Sequence, residues 1–339
     1  MKRVVSDILL LGLCLLSLAS CRRIPLHDPL ANVYLKLTTR LNTDVVLNED
    51  LNIEGNPSLA NKVYGQQPTQ VRACFYDIES HKLVQEQYLP AEGGFVEIPA
   101  GTYDLIVYSL GAAITRIDNV ESRAAAYAYT DPTGSVVRSK TKVGDVDEDG
   151  EVLVNEQKVI KEPDHIFVGR RESIVVPVRA EIDQTVIIEC ELTPLLDTYS
   201  FEVRNVIGAG RIQKADVYIT GQAPSRFLWD KRYPTKPSAL YFQTTINPDK
   251  GHIYTVFNTF GKLPGARNDV FLHVLVTDVQ GGRFEWEFDV TDQFDNPDNV
   301  HHEIIIDERV EIPEDGGQVG GLDPKVNEWS VIVVPIDVE

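Results

Sequence analysis

From Val33 onward the chain alternates apolar and polar residues with a period of two, and that period limits what it can fold into. In V-Y-L-K-L-T-T-R-L, Val33, Leu35, Leu37 and Leu41 face one way while Lys36, Thr38 and Arg40 face the other. Successive Cβ atoms of a strand point to opposite faces, so such a run is a strand with one side on a core and one in water. The alternation returns in Val71–Ile78, Leu83–Leu89, Phe95–Ile98, Tyr103–Tyr108, Ser173–Ile182 and Val186–Leu192. Short strands interrupted by turn residues at these intervals predict an all-β fold of antiparallel sandwiches. One stretch departs from the pattern: Glu121–Tyr129, E-S-R-A-A-A-Y-A-Y, has the alanine content of a short helix inserted over a sheet edge.

At 339 residues the chain can bury two cores of ordinary size. Thr193-Pro194-Leu195-Leu196-Asp197 marks the division, because proline withdraws a ladder donor just before a second set of alternating runs. That set comprises Tyr199–Val206, Ala215–Thr220, Ala239–Ile246, Ile253–Phe260 and Val270–Val276, with Gly281-Gly282 at the turn of its clearest hairpin. His301–Ile306 and Val310–Ile312 continue it. The expected organisation is a signal peptide over 1–20, a tether over 21–32, one β-sandwich over 33–193, a second over 194–312 and a terminal segment over 313–339. That segment has four glycines between Pro313 and Lys325, then the nearly continuous apolar run Ser330–Ile336. A strand of the doubly buried type on a flexible leash either folds back into its own sheet or inserts into a neighbour's, which makes Val331, Ile332, Val333, Val334 and Ile336 strand-exchange candidates.

The start of the chain carries an address. M-K-R precedes the apolar run Ile8–Leu18, which is too short to span a bilayer. It ends in Leu18-Ala19-Ser20-Cys21, which resembles the bacterial lipoprotein box, where the cysteine is lipidated and becomes the mature N-terminus. Cys21 is therefore the expected lipidation site. Loss of residues 1–20 removes Lys2, Arg3 and Asp7 and takes the formal charge from −19 to −20. A chain this acidic lacks the basic face that a phosphate backbone requires, so nucleic acid is no partner. Cys74 and Cys190 remain in strand-like runs, where an exported compartment allows a disulfide and a buried setting equally suits two free thiols.

Gly144–Glu156, G-D-V-D-E-D-G-E-V-L-V-N-E, matches a calcium-loop template. Asp145, Asp147 and Asp149 take positions 1, 3 and 5, Gly150 position 6, the Glu151 carbonyl position 7 and Glu156 position 12. Its flanks, V-V-R-S-K-T-K-V and V-L-V-N-E-Q-K-V-I, are strand-like rather than helical, so an acidic hairpin turn stands beside calcium as a reading. Pairing of V-L-V-N-E as a strand would turn Glu156 away from the aspartates. The chain has no G-x-S-x-G, H-E-x-x-H or phosphate-cradling glycine loop, and a non-enzymatic role with no required cofactor follows. His301-His302 would project to opposite faces of a strand, which suits surface histidines better than a metal pair. Trp229, Tyr233 and Tyr241, around R-F-L-W-D-K-R-Y-P, could form a platform for a sugar ring or simply pack.

Several fragments resemble the fimbrillin-type lipoproteins of Bacteroidetes, which include fimbrial anchor subunits: the lipobox, F-V-E-I-P-A-G-T-Y-D-L-I-V-Y-S-L-G at 95–111, E-P-D-H-I-F-V-G at 162–169, A-D-V-Y-I-T-G at 215–221 and V-E-I-P at 310–313. The resemblance implies two tandem transthyretin-like antiparallel sandwiches, with Pro99 and Gly101 making the reversal and Tyr103 starting the return strand. It also implies a lipid-anchored, surface-exposed place on the outer membrane and fimbrial or fimbrillin-like subunits as partners, through strand pairing. Stalk subunits of that family are cleaved after an arginine downstream of the lipid, and Arg40 lies inside a good strand, which favours an anchor or accessory subunit. A surface lipoprotein that captures glycan is the alternative.

Overall fold

The computed structural model describes residues 30–41, 57–133, 153–178, 185–230, 232–264 and 269–314. The first strands are β1 (Ala31–Thr39), β2 (Gln70–Asp77), β3 (Leu83–Pro90), β4 (Gly93–Ile98) and β5 (Gly101–Ser109). Four short strands follow, β6 (Arg116–Asp118), β7 (Tyr127–Tyr129), β8 (Leu153–Val154) and β9 (Gln157–Lys161), then β10 (Phe167–Val176) and β11 (Val186–Pro194). Next come β12 (Asp197–Val203), β13 (Val206–Ile207), β14 (Ile212–Gln222), β15 (Ser225–Phe227), β16 (Ser238–Gln243) and β17 (Thr245–Asn247). β18 (His252–Thr259), β19 (Phe271–Asp278), β20 (Arg283–Asp289), β21 (Glu303–Ile306) and β22 (Val310–Glu311) complete the described set, with helices at Pro57–Tyr64 and Thr291–Asp295.

In the first sandwich β1 lies between β4, antiparallel, and β11, parallel. The facing layer runs β3, β2, β5, β10. They close over Val33, Leu35, Val71, Phe75, Ile98, Leu105 and Leu192, the inward positions of the alternation. The short connection from β3 to β4 carries the chain from one layer to the other. Gly93 there has φ +101°, and a Cβ would run into the Leu35 carbonyl, so only glycine fits. Gly101 serves differently: it needs no left-handed backbone, but a Cβ would come within 2.9 Å of the Tyr103 hydroxyl. That hydroxyl donates to the Pro99 carbonyl at 3.0 Å and ties the reversal shut.

The second sandwich centres on β14, between β19 and β16. β20 returns from β19 through the Gly281-Gly282 turn, where the Asp278 carboxylate accepts the N–H groups of Gln280 at 2.9 Å and Gly282 at 2.7 Å. The facing layer runs β17, β18, β12, β21. Phe242 and Phe257 stack at 4.4 Å in the core, with Phe201 edge-on to Phe242 at 5.9 Å. β9 pairs parallel with β16, so residues that precede β10 in the chain complete the second sandwich.

Three expectations are corrected. Glu121–Tyr129 forms turns followed by β7, which pairs with β6 and β15. Its alanines serve closeness rather than helix formation: Ala126 and Ala128 are fully buried where a larger side chain would hold the layers apart. The strand read as Ser173–Ile182 begins at Phe167, and 179–184 lie outside the described residues. A bulge between Arg171 and Ile174 breaks its alternation, with Ser173 at φ 53° and its N–H donating to Asp104 at 2.9 Å. His301 sits in a turn and β21 starts only at Glu303; His302, at φ 53°, stacks on Tyr199 at 4.6 Å.

Strand direction sets the layout of the molecule. β1 and β11 run parallel, and β11 ends three residues before β12 enters the second sandwich, so both point toward the junction. Leu30 therefore enters at the far end of the first sandwich. β12 runs away from the junction, and Glu314 lies 3.6 Å from Arg211, whose carbonyl accepts the Val279 N–H at the β19–β20 turn. The described chain enters at one end of the molecule and leaves at the other.

Candidate functional site

Between the sandwiches lies a third core. Cys74, Tyr76, Ile106 and Tyr108, on the outer face of β2 and β5, meet Ala126, Ala128, Leu195, Leu196, Leu228 and Phe260. Tyr76 donates its hydroxyl to the Val120 carbonyl at 2.9 Å, which fastens the insertion carrying β6 and β7. Arg123 pairs with buried Asp104 and lies 4.3 Å over the Trp229 ring, so charge and aromatic surface are covered together.

The linker from β9 to β10 is E-P-D-H-I, and its polar side chains fasten the helix, β18 and the loop after β5. Glu162 pairs with Lys62 of the helix at 3.0 Å and accepts the Asn258 N–H of β18 at 2.9 Å. Asp164 accepts the N–H groups of Ile114 at 3.1 Å and Thr115 at 2.7 Å, and that of Ala113. His165 Nε2 meets the Lys62 carbonyl in the last turn of the helix at 2.8 Å. Two acids on either side of Pro163, with His165, thus stitch the helix, the second sandwich and the loop after β5 to a single stretch of chain.

Their charges are tuned in opposite directions. Burial drives the Glu162 carboxyl above its ordinary value, against the pull of Lys62. Burial also works against Asp164, but its backbone donors outweigh it and hold that carboxyl below its ordinary value. Burial lowers His165, favouring the neutral ring as a donor to the helix. Beside this linker opens a cleft of about 710 Å³, lined by Gln66, Gln67, Lys161, Tyr241 and Gln243 among others.

Residues 61–243, from the helix to the end of β16, match the family described as Domain of unknown function (DUF5119). The chain belongs to this family. The matched span contains the linker and most of the junction, while Asn258, Phe260 and Leu263 lie beyond it. Among curated proteins none matches the chain. A solved structure of a candidate adhesin from Bacteroides ovatus is similar over 87% of this chain and 97% of its own, at 18% identity and a TM-score of 0.58, which shows a shared fold. The fimbrial anchor protein Mfa2 from Porphyromonas gingivalis aligns over 81% of this chain and 90% of its own at 10% identity, with a TM-score of 0.48. The tip fimbrial protein Mfa3 from the same organism, with a C-terminal truncation, aligns over 76% and 81% at 11% identity, with a TM-score of 0.35.

The DUF5119 protein distributes its sequence-derived candidates unevenly. Cys21, Asp145, Asp147, Asp149, Glu151 and the run Val331, Ile332, Val333, Val334 and Ile336 lie outside the described residues. Glu156 is described: with Asn155 it makes the two-residue turn between β8 and β9, at φ 64° and 47°, the left-handed pair that a type I′ hairpin requires. Trp229 and Tyr233 pack against the core between the sandwiches. Tyr241 stands apart on β16, 5.2 Å from Tyr218, with its hydroxyl on Asp216 at 2.6 Å. The three aromatics do not share a face. Cys74 and Cys190 are buried free thiols in two different cores, each pushed up to about 11 by burial.

Sequence reasoning also missed a feature of the β21 edge. Gln293 donates to the Ile305 carbonyl at 2.9 Å and accepts the Ile305 N–H at 2.8 Å. Asn299 does the same for Glu303, both at 2.9 Å. Two side-chain amides thus occupy alternate backbone groups on the side away from β12, where a further strand would pair. The D-Q-F-D-N-P-D-N run carried the only signal, two amides six residues apart just before a strand.

Proposed function

We propose that this DUF5119 protein is a lipid-anchored cell-envelope protein that serves as an anchor or accessory subunit in fimbria-like assembly and adhesion. The observation that carries the reading is that the described chain enters and leaves at opposite ends. Leu30, nine residues after Cys21, is at one end, and Glu314 is beside the β19–β20 turn at the other. An acyl group on Cys21 would hold the first end at the outer membrane. Val331, Ile332, Val333, Val334 and Ile336 would then reach a neighbouring subunit from the far end and pair main chain to main chain. The fold shared with the candidate adhesin supports the same reading.

Deletion of residues 322–339 tests it. Assembly should be lost while the first sandwich stays folded and the N-terminal peptide still carries acyl chains by mass spectrometry. Unchanged polymer formation would remove strand pairing from the proposal, and an unmodified Cys21 would remove the anchor. Calcium belongs to the reading through Asp145, Asp147 and Asp149: the folded chain alone should bind it, so the unfolding midpoint should rise at several millimolar calcium and not rise in Asp145→Ala.

A further inference from the structure

The second sandwich treats two neighbouring sheet edges differently. Its layers run β20, β19, β14, β16 and β21, β12, β18, β17, and β16 passes to β17 through Thr244 alone, so β20 and β21 stand on the same side. At β21 the Gln293 and Asn299 side chains fill the outward backbone positions of Ile305 and Glu303. At β20, among the described residues, no strand pairs with the outer side. Two bonds fix the phase of its ladder with β19: the Val290 N–H donates to the Val270 carbonyl and the Asp278 N–H to the Gly282 carbonyl, both at 2.9 Å. Residues 284, 286 and 288 therefore bond to β19, and Glu285, Glu287 and Asp289 turn their N–H and C=O groups outward. Glu314 lies at the corner where β20 begins. It is 3.6 Å from Arg211, whose carbonyl accepts the Val279 N–H of the β19–β20 turn at 2.8 Å.

We infer that residues 330–336 add to β20 as a further strand of the same molecule, so that the segment proposed above to pair with a neighbour is held there until it is donated. The inference rests on that reading in taking 330–336 as a strand. Reach permits it: the 15 residues 315–329 span ~50 Å when extended, and β20, with seven residues, is about 23 Å long, so the added strand can run in either direction. Charge selects the occupant. Glu285, Glu287 and Asp289 share the outer face of β20, so a second copy's β20 laid alongside would set acids against acids. Trp329–Ile336, W-S-V-I-V-V-P-I, carries no charge and meets no such repulsion. Its aliphatic side chains would also cover Trp286, which is only partly buried against the second core. Pro335 sets the phase. A proline keeps its place in a sheet where its missing donor faces away from the partner strand, as an edge strand allows. With Pro335 turned outward, Ser330, Ile332, Val334 and Ile336 present their backbone groups to β20.

The test is amide hydrogen exchange of the full-length mature chain in detergent micelles, followed residue by residue, with the Val217 amide in the second core as the check that each variant is folded. The amides of Glu285, Glu287 and Asp289 should exchange at least tenfold more slowly in the unaltered chain than in Ile332→Pro, which removes a donor aimed at β20. Val333→Pro, whose backbone faces away, should leave them slow. Fast exchange in the unaltered chain, slow exchange that survives Ile332→Pro, or equal loss in the two variants would overturn the inference. Slow exchange confined to concentrations at which sedimentation shows dimers would overturn it as well, because a second copy would then supply the strand. Donation fails separately: unchanged polymer formation after deletion of residues 322–339 removes it and leaves the exchange result as it stands.

Discussion

The two sandwiches solve the same problem with different stretches of chain. The first takes every strand of its two layers from one side of Pro194 and fills its core mainly with aliphatic side chains, Val33, Leu35, Val71, Leu105 and Leu192 among them. The second relies on an aromatic stack, Phe201, Phe242 and Phe257, and completes one sheet with β9, which comes from before β10. A division drawn by composition at Pro194 therefore does not divide the packing. The two bodies are joined by an exported strand and by a linker whose acids and imidazole reach both.

The comparison can be broken most severely by cutting the chain. Residues 195–314 expressed alone lack β9 and the Glu162 bond to Asn258, so they should show no cooperative thermal unfolding, whereas residues 30–314 should. A cooperative transition in the shorter piece would mean that the second sandwich stands by itself. Next in size is Phe242→Ala. It leaves a cavity between the rings of Phe257 and Phe201 and should cost about 3–5 kcal/mol in urea unfolding, more than the smaller hole of Val71→Ala in the first core.

Asp164→Asn should cost about 2–3 kcal/mol, because three backbone donors lose a charged acceptor. Its pH dependence sharpens the point. The native Asp164 carboxyl lies below its ordinary value, so its contribution is complete above that ordinary value and is lost as pH falls through the depressed native one. The gap between wild type and Asn variant, measured by urea unfolding, should narrow on acidification below about pH 4. A gap that stays constant would mean that the charge is not what holds the loop. Smallest in stability is Gln293→Ala, which loses two hydrogen bonds to Ile305 at about 0.5–1 kcal/mol each. Its larger sign should be self-association in sedimentation, because bare strand edges recruit strands. A variant that stays monomeric would show that the edge needs no cover.

Most strand positions were legible because the period of two survives wherever one face is buried and the other wet. Where it failed, a specific contact had displaced the pattern. The bulge at Ser173 puts two successive residues out of phase so that a backbone N–H can reach Asp104. The alanines of 124–128 serve close approach between layers, and helix propensity has no say once Ala126 and Ala128 are enclosed. Of the site, E-P-D-H could be singled out as a fragment. Its three attachments could not, since Lys62, Asn258 and the loop 113–115 are remote in sequence.

By itself the sequence determined the β class, the inward face of most strands and the tight turns at Gly281-Gly282 and Pro99, because these depend on neighbours one to four residues away. Tertiary structure alone decided that β9 crosses to the second sandwich, that Trp229, Tyr233 and Tyr241 part company, that two amides cover the β21 edge, and that the described chain enters and leaves at opposite ends. Each of these is a contact between distant segments, chosen by the free energy of burying and pairing groups that local pattern does not bring together.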